Sequence, residues 1–143
     1  PRIKALVSQI GAVDSRTNYA ELPDAMVQDW EIQRARGEIG PYPGPEWGTP
    51  GLRGVPDLVR MKRYDPAAVW SDISVPTLVI DAESEELFDR MKNGAALHAS
   101  LKGRVPTEYL VLPGKHYDVY RDEGYRRGSA AAQAWFKKYL TGD

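Results

Sequence analysis

The stretch Val75-Pro76-Thr77-Leu78-Val79-Ile80-Asp81-Ala82-Glu83-Ser84-Glu85-Glu86 decides how this chain folds. A proline, which has no backbone N–H to give to a ladder, precedes a run of β-branched and apolar residues that breaks into acids. A continuous apolar run, as opposed to an alternating one, marks a strand buried on both faces, as in a parallel sheet covered by helices. The pattern predicts a core strand over residues 76–81.

Reading outward toward the C-terminus, Glu86 to Leu101 places Leu87, Met91, Ala95 and His98 on one stripe and predicts a helix that packs back on the sheet. His98 on that stripe reads as a packed helix residue. Thr107 to Leu112 (TEYLVL) predicts a further strand, which Pro113-Gly114 breaks. Tyr125 to Leu140 predicts a closing helix with Ala131, Ala134, Trp135 and Tyr139 on one side.

Toward the N-terminus, a short helix is expected at Pro66 to Trp70, and Ile3 to Ile10 (IKALVSQI), closed by Gly11, reads as another core parallel strand. Between them, Ala20 to about Arg36 has helical spacing in Ala25, Met26, Asp29, Trp30 and Gln33, with Pro23 in its first turn and Gly37 as its stop. Gly40 to Pro56 holds five Pro and five Gly, a density that no helix or central strand tolerates. Long irregular loops of this kind often serve as lids, so residues 14–64 are expected to form a cap-like insertion over a site. A solvent-exposed excursion is the alternative reading of the loop.

Strand, insertion, strand, helix, strand, helix is the alternation that builds a parallel sheet with helices on its faces, joined by right-handed crossovers. Three strands make only part of such a sheet. The first strand is therefore expected to offer an open edge, completed by an N-terminal half of the same fold or by another copy of the chain. The chain opens on Pro1 and runs almost at once into a strand, which reads as a start in mid-fold.

Composition narrows the function classes. A length of 143 residues makes one domain, which on folding buries roughly 68–70% of its extended surface. With 42% apolar and 27% charged residues and a formal charge of −1, it has no basic surplus for phosphates, and neither nucleic acid nor membrane is expected as a partner. No apolar run approaches the roughly 18 residues that a spanning helix needs. Cysteine is absent, which excludes disulfides, thiolate metal sites and a cysteine nucleophile. With only two histidines besides, no metal site and no cofactor are expected. A cytoplasmic setting is compatible with this composition.

In open α/β sheets the chemistry sits past the carboxyl ends of the strands. Two such loops carry suitable groups: Asp81-Ala82-Glu83-Ser84-Glu85-Glu86, and Pro113-Gly114-Lys115-His116-Tyr117-Asp118. A carboxylate on one imidazole nitrogen fixes the tautomer and favours the imidazolium formed when the other nitrogen takes a proton from a nucleophile. Glu85 and His116, 31 residues apart, have the spacing of consecutive strand ends. An acidic turn can also serve as a helix cap, and a loop imidazole as a packing residue; the residues alone leave these roles open. Trp47 in the Gly/Pro loop and Asp14 in the turn after the first strand are candidates for a substrate pocket.

The run Val75 to Leu87 resembles the strand and acid turn of dienelactone-hydrolase-like members of the α/β-hydrolase superfamily: proline, an apolar strand, a small residue, then an acid three places on. Pro113-Gly114-Lys115-His116-Tyr117-Asp118 is similar to the histidine loop of that group, Gly-x-His followed by an aromatic and an aspartate. The resemblance covers about Tyr64 to Leu140 and extends to Arg2 to Ile10. It implies the C-terminal part of an α/β-hydrolase fold, with His116 as general base and Glu85 as the orienting acid. Aspartate is usual at the acid position, so Glu83 and Glu86 stand as rivals.

The family's nucleophile has no counterpart here. It sits in a Gly-x-Ser-x-Gly elbow, and none of Ser8, Ser15, Ser71, Ser74, Ser84, Ser100 and Ser129 has glycine two places before and two after. The resemblance therefore implies that the nucleophilic serine lies upstream, that the isolated chain is inactive, and that the complete protein cleaves an ester, lactone or related acyl bond of a small molecule. A noncatalytic α/β binding or assembly module is the alternative.

Overall fold

The computed structural model describes residues 2–11, 23–38 and 65–141. The expected loop 40–56, Trp47 and Asp14 lie outside the described residues, as does most of the expected 14–64 insertion.

Three parallel strands form one sheet in the order β1-β2-β3: β1 (Leu6–Gln9), β2 (Thr77–Ala82) and β3 (Thr107–Leu112). All six residues of β2 are buried, as its apolar run predicts for a strand with a neighbour on each side. Register pairs Leu6 and Thr107 with Thr77, so all three strands end at one rim. Strand β1 is shorter than the expected 3–10 and only half-buried along its length, with Ile3 exposed. Only one of its edges is paired among the described residues, which leaves it less covered than a central strand.

The period-two alternation of β2 divides the core between two faces. Leu78, Ile80 and Ala82 face helix α3 (Asp122–Leu140) and pack with Ile10, Leu112, Val119 and Trp135. Val79 faces helix α2 (Gly94–Leu101) and packs with Leu97 and Leu101, flanked by Trp70, Ile73, Val105 and Tyr109. Burial of a side chain such as Leu101, fully enclosed here, contributes about 1.5–3 kcal/mol. The inner stripe of α3 runs through Gly124, Gly128, Ala131, Trp135 and Tyr139, whereas Ala134, expected on it, is exposed. Acids at its start (Asp122, Glu123) and lysines at its end (Lys137, Lys138) complement the helix dipole. Residues 66–72 form a 3-10 helix, held to the end of α2 by Arg104, which donates to the carbonyls of Trp70, Ser71 and Ile73.

Helix α1 (Asp24–Ala35) starts later than expected, directly after Pro23. Its most buried side chain is Val27, with Trp30 half-buried and Ala25 and Met26 exposed, so its inner face is turned from the predicted one.

A larger correction concerns residues 86–93. The helix expected from Glu86 begins only at Gly94, and Leu87 and Met91, placed on its buried stripe, are 49% and 63% exposed. Side chains displace the helix here: the Glu85 carboxylate accepts the N–H of Leu87 (2.9 Å) and the Asp89 carboxylate that of Met91 (2.9 Å). Local bonds of this kind give the backbone an alternative to the helical ladder. Residues 83–93 thus form an extended turn, and it is this turn that carries the acids.

Candidate active site

The residues immediately after β3 set the histidine loop. Gly114 has φ +103, a conformation that disfavours any side chain, and a Cβ there would come within 2.8 Å of an Asp118 carboxylate oxygen. That oxygen accepts the N–H of Lys115 (2.8 Å), and a 3-10 helix runs from His116 to Tyr120. Val119, fully buried, plugs this helix into the core beneath it, and Gly124 lets α3 start against the Asp118 carbonyl.

The acid turn meets this loop. The backbone N–H groups of Glu83 and Ser84 donate to the carbonyls of Leu112 (2.8 Å) and Gly114 (2.9 Å), joining the ends of β2 and β3. Nδ1 of His116 then lies 3.0 Å from Oε1 and 2.9 Å from Oε2 of Glu85. Facing a carboxylate, Nδ1 carries the proton and Nε2 is left with the lone pair. Glu86 reaches a different atom: its Oε2 accepts the backbone N–H of His116 (3.0 Å). Glu83 is exposed and makes no contact with the ring among the described residues. Of the three acids, only Glu85 engages the imidazole.

Aromatic rings frame that imidazole. Tyr117 lies edge-on at 4.8 Å between centroids, Phe88 at 5.8 Å and perpendicular, and Tyr120 at 6.3 Å. The Tyr120 hydroxyl holds its proton more tightly than usual, first because of partial burial and then because of the Glu85 charge. Tyr117 is the aromatic of the histidine-loop pattern read in the sequence, whereas Phe88 and Tyr120 were not singled out there, although aromatics beside the acid and histidine positions are a signal. Among the described residues, no hydroxyl is hydrogen-bonded to Nε2 of His116, and no group of three or more His, Asp or Glu is arranged to hold a metal ion. No described helix is long and apolar enough to cross a membrane.

No protein-family model and no curated protein sequence matches this chain. Among solved structures, a chain assigned as the non-heme bromoperoxidase BpoC of Mycobacterium tuberculosis H37Rv superposes on 94% of it with a TM-score of 0.57 at 16% identity. The chain carries part of an α/β-hydrolase fold. It spans 57% of the length of that neighbour. In an α/β-hydrolase fold the rim where β2 and β3 end is the side on which ligands bind, and Glu85 and His116 both stand on it.

Proposed function

We propose that this chain supplies the acid and the base of a dienelactone-hydrolase-like serine hydrolase that cleaves an ester, lactone or related acyl bond. The observation that carries the reading is the bond from Nδ1 of His116 to Glu85, which leaves Nε2 as a base at the ligand-binding rim. The serine nucleophile comes from polypeptide outside these 143 residues, since no Gly-x-Ser-x-Gly elbow occurs within them.

In the first half-reaction Nε2 takes the serine proton as the serine oxygen attacks the acyl carbon, and Glu85 stabilises the resulting imidazolium. The tetrahedral intermediate collapses, and Nε2 returns the proton to the leaving oxygen, leaving an acyl-serine. Water then attacks, again giving its proton to Nε2, and the serine is regenerated. The oxyanion donors belong with the nucleophile, so the isolated chain is expected to turn over no ester.

The test is hydrolysis of p-nitrophenyl acetate and a simple aromatic lactone by the complete natural protein, together with labelling by a fluorophosphonate. Expected are saturable turnover, loss of at least about a hundredfold in kcat in His116→Ala, and a labelled serine outside this chain. Turnover indifferent to His116→Ala, or no turnover and no labelling, would overturn the reading in favour of a noncatalytic α/β module.

A further inference from the structure

Beneath the acid turn lies a chain of polar contacts that the reaction itself does not use. Asp81, the penultimate residue of β2, is 2% exposed in a strand otherwise filled by Thr77, aliphatic residues and Ala82. The Tyr109 hydroxyl donates to its Oδ2 (2.8 Å), and Nη1 of Arg90 donates to that hydroxyl (2.9 Å). The directions are fixed by chemistry: a guanidinium only donates, so the single hydroxyl proton is left for the carboxylate. The Tyr109 ring is itself held, stacked on His98 at 5.4 Å and 18°. Gly94, the first residue of α2, abuts the Asp81 carboxylate so closely that a Cβ would collide with it.

Arg90 belongs to the same turn as Glu85, and the middle of that turn is weakly held by its backbone. Among the described residues, 85–88 make no backbone–backbone hydrogen bond; their contacts to the fold are the side chains of Glu85 and Glu86 on His116, and the ring of Phe88. On its near side Glu85 follows the bonds of the Glu83 and Ser84 N–H groups to Leu112 and Gly114, and on its far side it is placed by what fixes residues 89–93. That far side is closed on itself by the N–H groups of Lys92, Asn93 and Ala95, which donate to the carbonyls of Asp89 and Arg90, and by buried Asn93, whose Nδ2 donates to the Asp89 carbonyl (2.8 Å); the side chain that ties it across to β3 is Arg90. A carboxylate buried where an aliphatic side chain would pack costs stability, and burial does raise the pKa of Asp81. Such a group is retained where its bonds fix a geometry.

We propose that Arg90 and Tyr109 are positioning residues: the relay from Arg90 through the Tyr109 hydroxyl to Asp81 fastens the acid turn to the sheet, so that Glu85 is held against Nδ1 of His116. This rests on reading Glu85 and His116 as the acid and base of the reaction. A displacement of about 1 Å in a catalytic group costs on the order of a hundredfold in rate, so the relay acts on kcat without touching substrate.

The experiment compares Tyr109→Phe, Arg90→Met, their combination and Asp81→Asn in the complete natural protein. It reads kcat and KM for p-nitrophenyl acetate, thermal unfolding, and the low-field NMR resonance of the His116 Nδ1 proton, identified by its loss in Glu85→Gln. Expected in Tyr109→Phe and Arg90→Met are a fall in kcat of about 10–100-fold, KM within about twofold, and a shifted or broadened Nδ1 resonance. The combination should be no worse than the worse single variant, and Asp81→Asn, which keeps an acceptor oxygen for Tyr109, should keep both signals. Arg90→Met, at the half-buried outer end of the relay, decides the matter if Tyr109→Phe does not fold. An unmoved Nδ1 resonance, or lowered unfolding temperature with kcat intact, overturns the relay. A shifted resonance in a protein that hydrolyses no ester supports the relay while the hydrolase reading fails.

Discussion

Glu85 lies behind His116: its side chain is 2% exposed, the imidazole 13%, and both carboxylate oxygens are within 3.0 Å of Nδ1. Access from solvent to this pair is through the ring. In the proposed reaction the carboxylate acts on the charge and tautomer of the imidazole and not on substrate. Glu85→Gln keeps the shape but removes the charge that balances the imidazolium, and its amide can turn a donor toward Nδ1. The expected result is a loss of about ten-thousandfold in kcat with KM little changed, measured by steady-state ester hydrolysis. Glu85→Asp, one methylene shorter, should keep more of the activity than Glu85→Gln. The opposite order would mean that side-chain length, and not charge, is what matters at this position.

Gly114→Ala tests the histidine loop from the backbone side. The residue is at φ +103, and the new methyl would meet Asp118 Oδ2 at 2.8 Å and its Cβ at 2.9 Å. Neither strain is relieved without moving the 3-10 helix that starts at His116. A loss of about 1–3 kcal/mol is expected in urea unfolding, with hydrolysis falling further than stability does. Full stability in the alanine variant would show that the loop adapts.

Much of this arrangement could be read from the sequence because it rests on period and punctuation. The run 77–82 is apolar on both faces and ends in acids, Pro113-Gly114 stops β3 at Leu112, and both features depend on a few adjacent residues. The parts that escaped reading depend on side chains bonding to the nearby backbone. The stripe Leu87, Met91, Ala95, His98 is a sound helical pattern, yet Glu85 and Asp89 capture the N–H groups of Leu87 and Met91, and the helix waits until Gly94. The Asp81–Tyr109–Arg90 relay is likewise silent in sequence, because its members come from three elements that only the register of β2 and β3 brings together.

Asp81 makes stability depend on pH in a definite direction. Burial is the main reason that its proton is held more tightly than usual; Tyr109 and Arg90 oppose this, and Glu85 adds to it. The folded state therefore favours the protonated acid. That contribution is whole below the unfolded carboxylate range and is lost as pH rises through the folded value. Asp81→Asn, neutral at every pH and still an acceptor for Tyr109, should be more stable than the parent at neutral pH and should converge with it in acid. Urea midpoints from pH 4 to 8 check this. A variant less stable than the parent throughout would show that the bond from Tyr109 requires the charge.

The placement of the α2 start at Gly94 can be tested by comparing two apolar residues that a helix beginning at Glu86 would have treated alike. Leu97 is 2% exposed and packs with Val79 and Leu101 beneath the sheet, so Leu97→Ala leaves a cavity that the close-packed core cannot fill. A cost of about 2–5 kcal/mol is expected. Met91 is 63% exposed in the turn, where truncation removes almost no buried surface. Met91→Ala should stay within about 0.5 kcal/mol of the parent. Equal costs for the two would mean that Met91 is covered, either by residues outside the described ones or by a partner. Limited proteolysis of residues 1–143 at Arg90 and Lys92 would then separate these cases: protection would place the cover within the chain, and cleavage would place it on a partner.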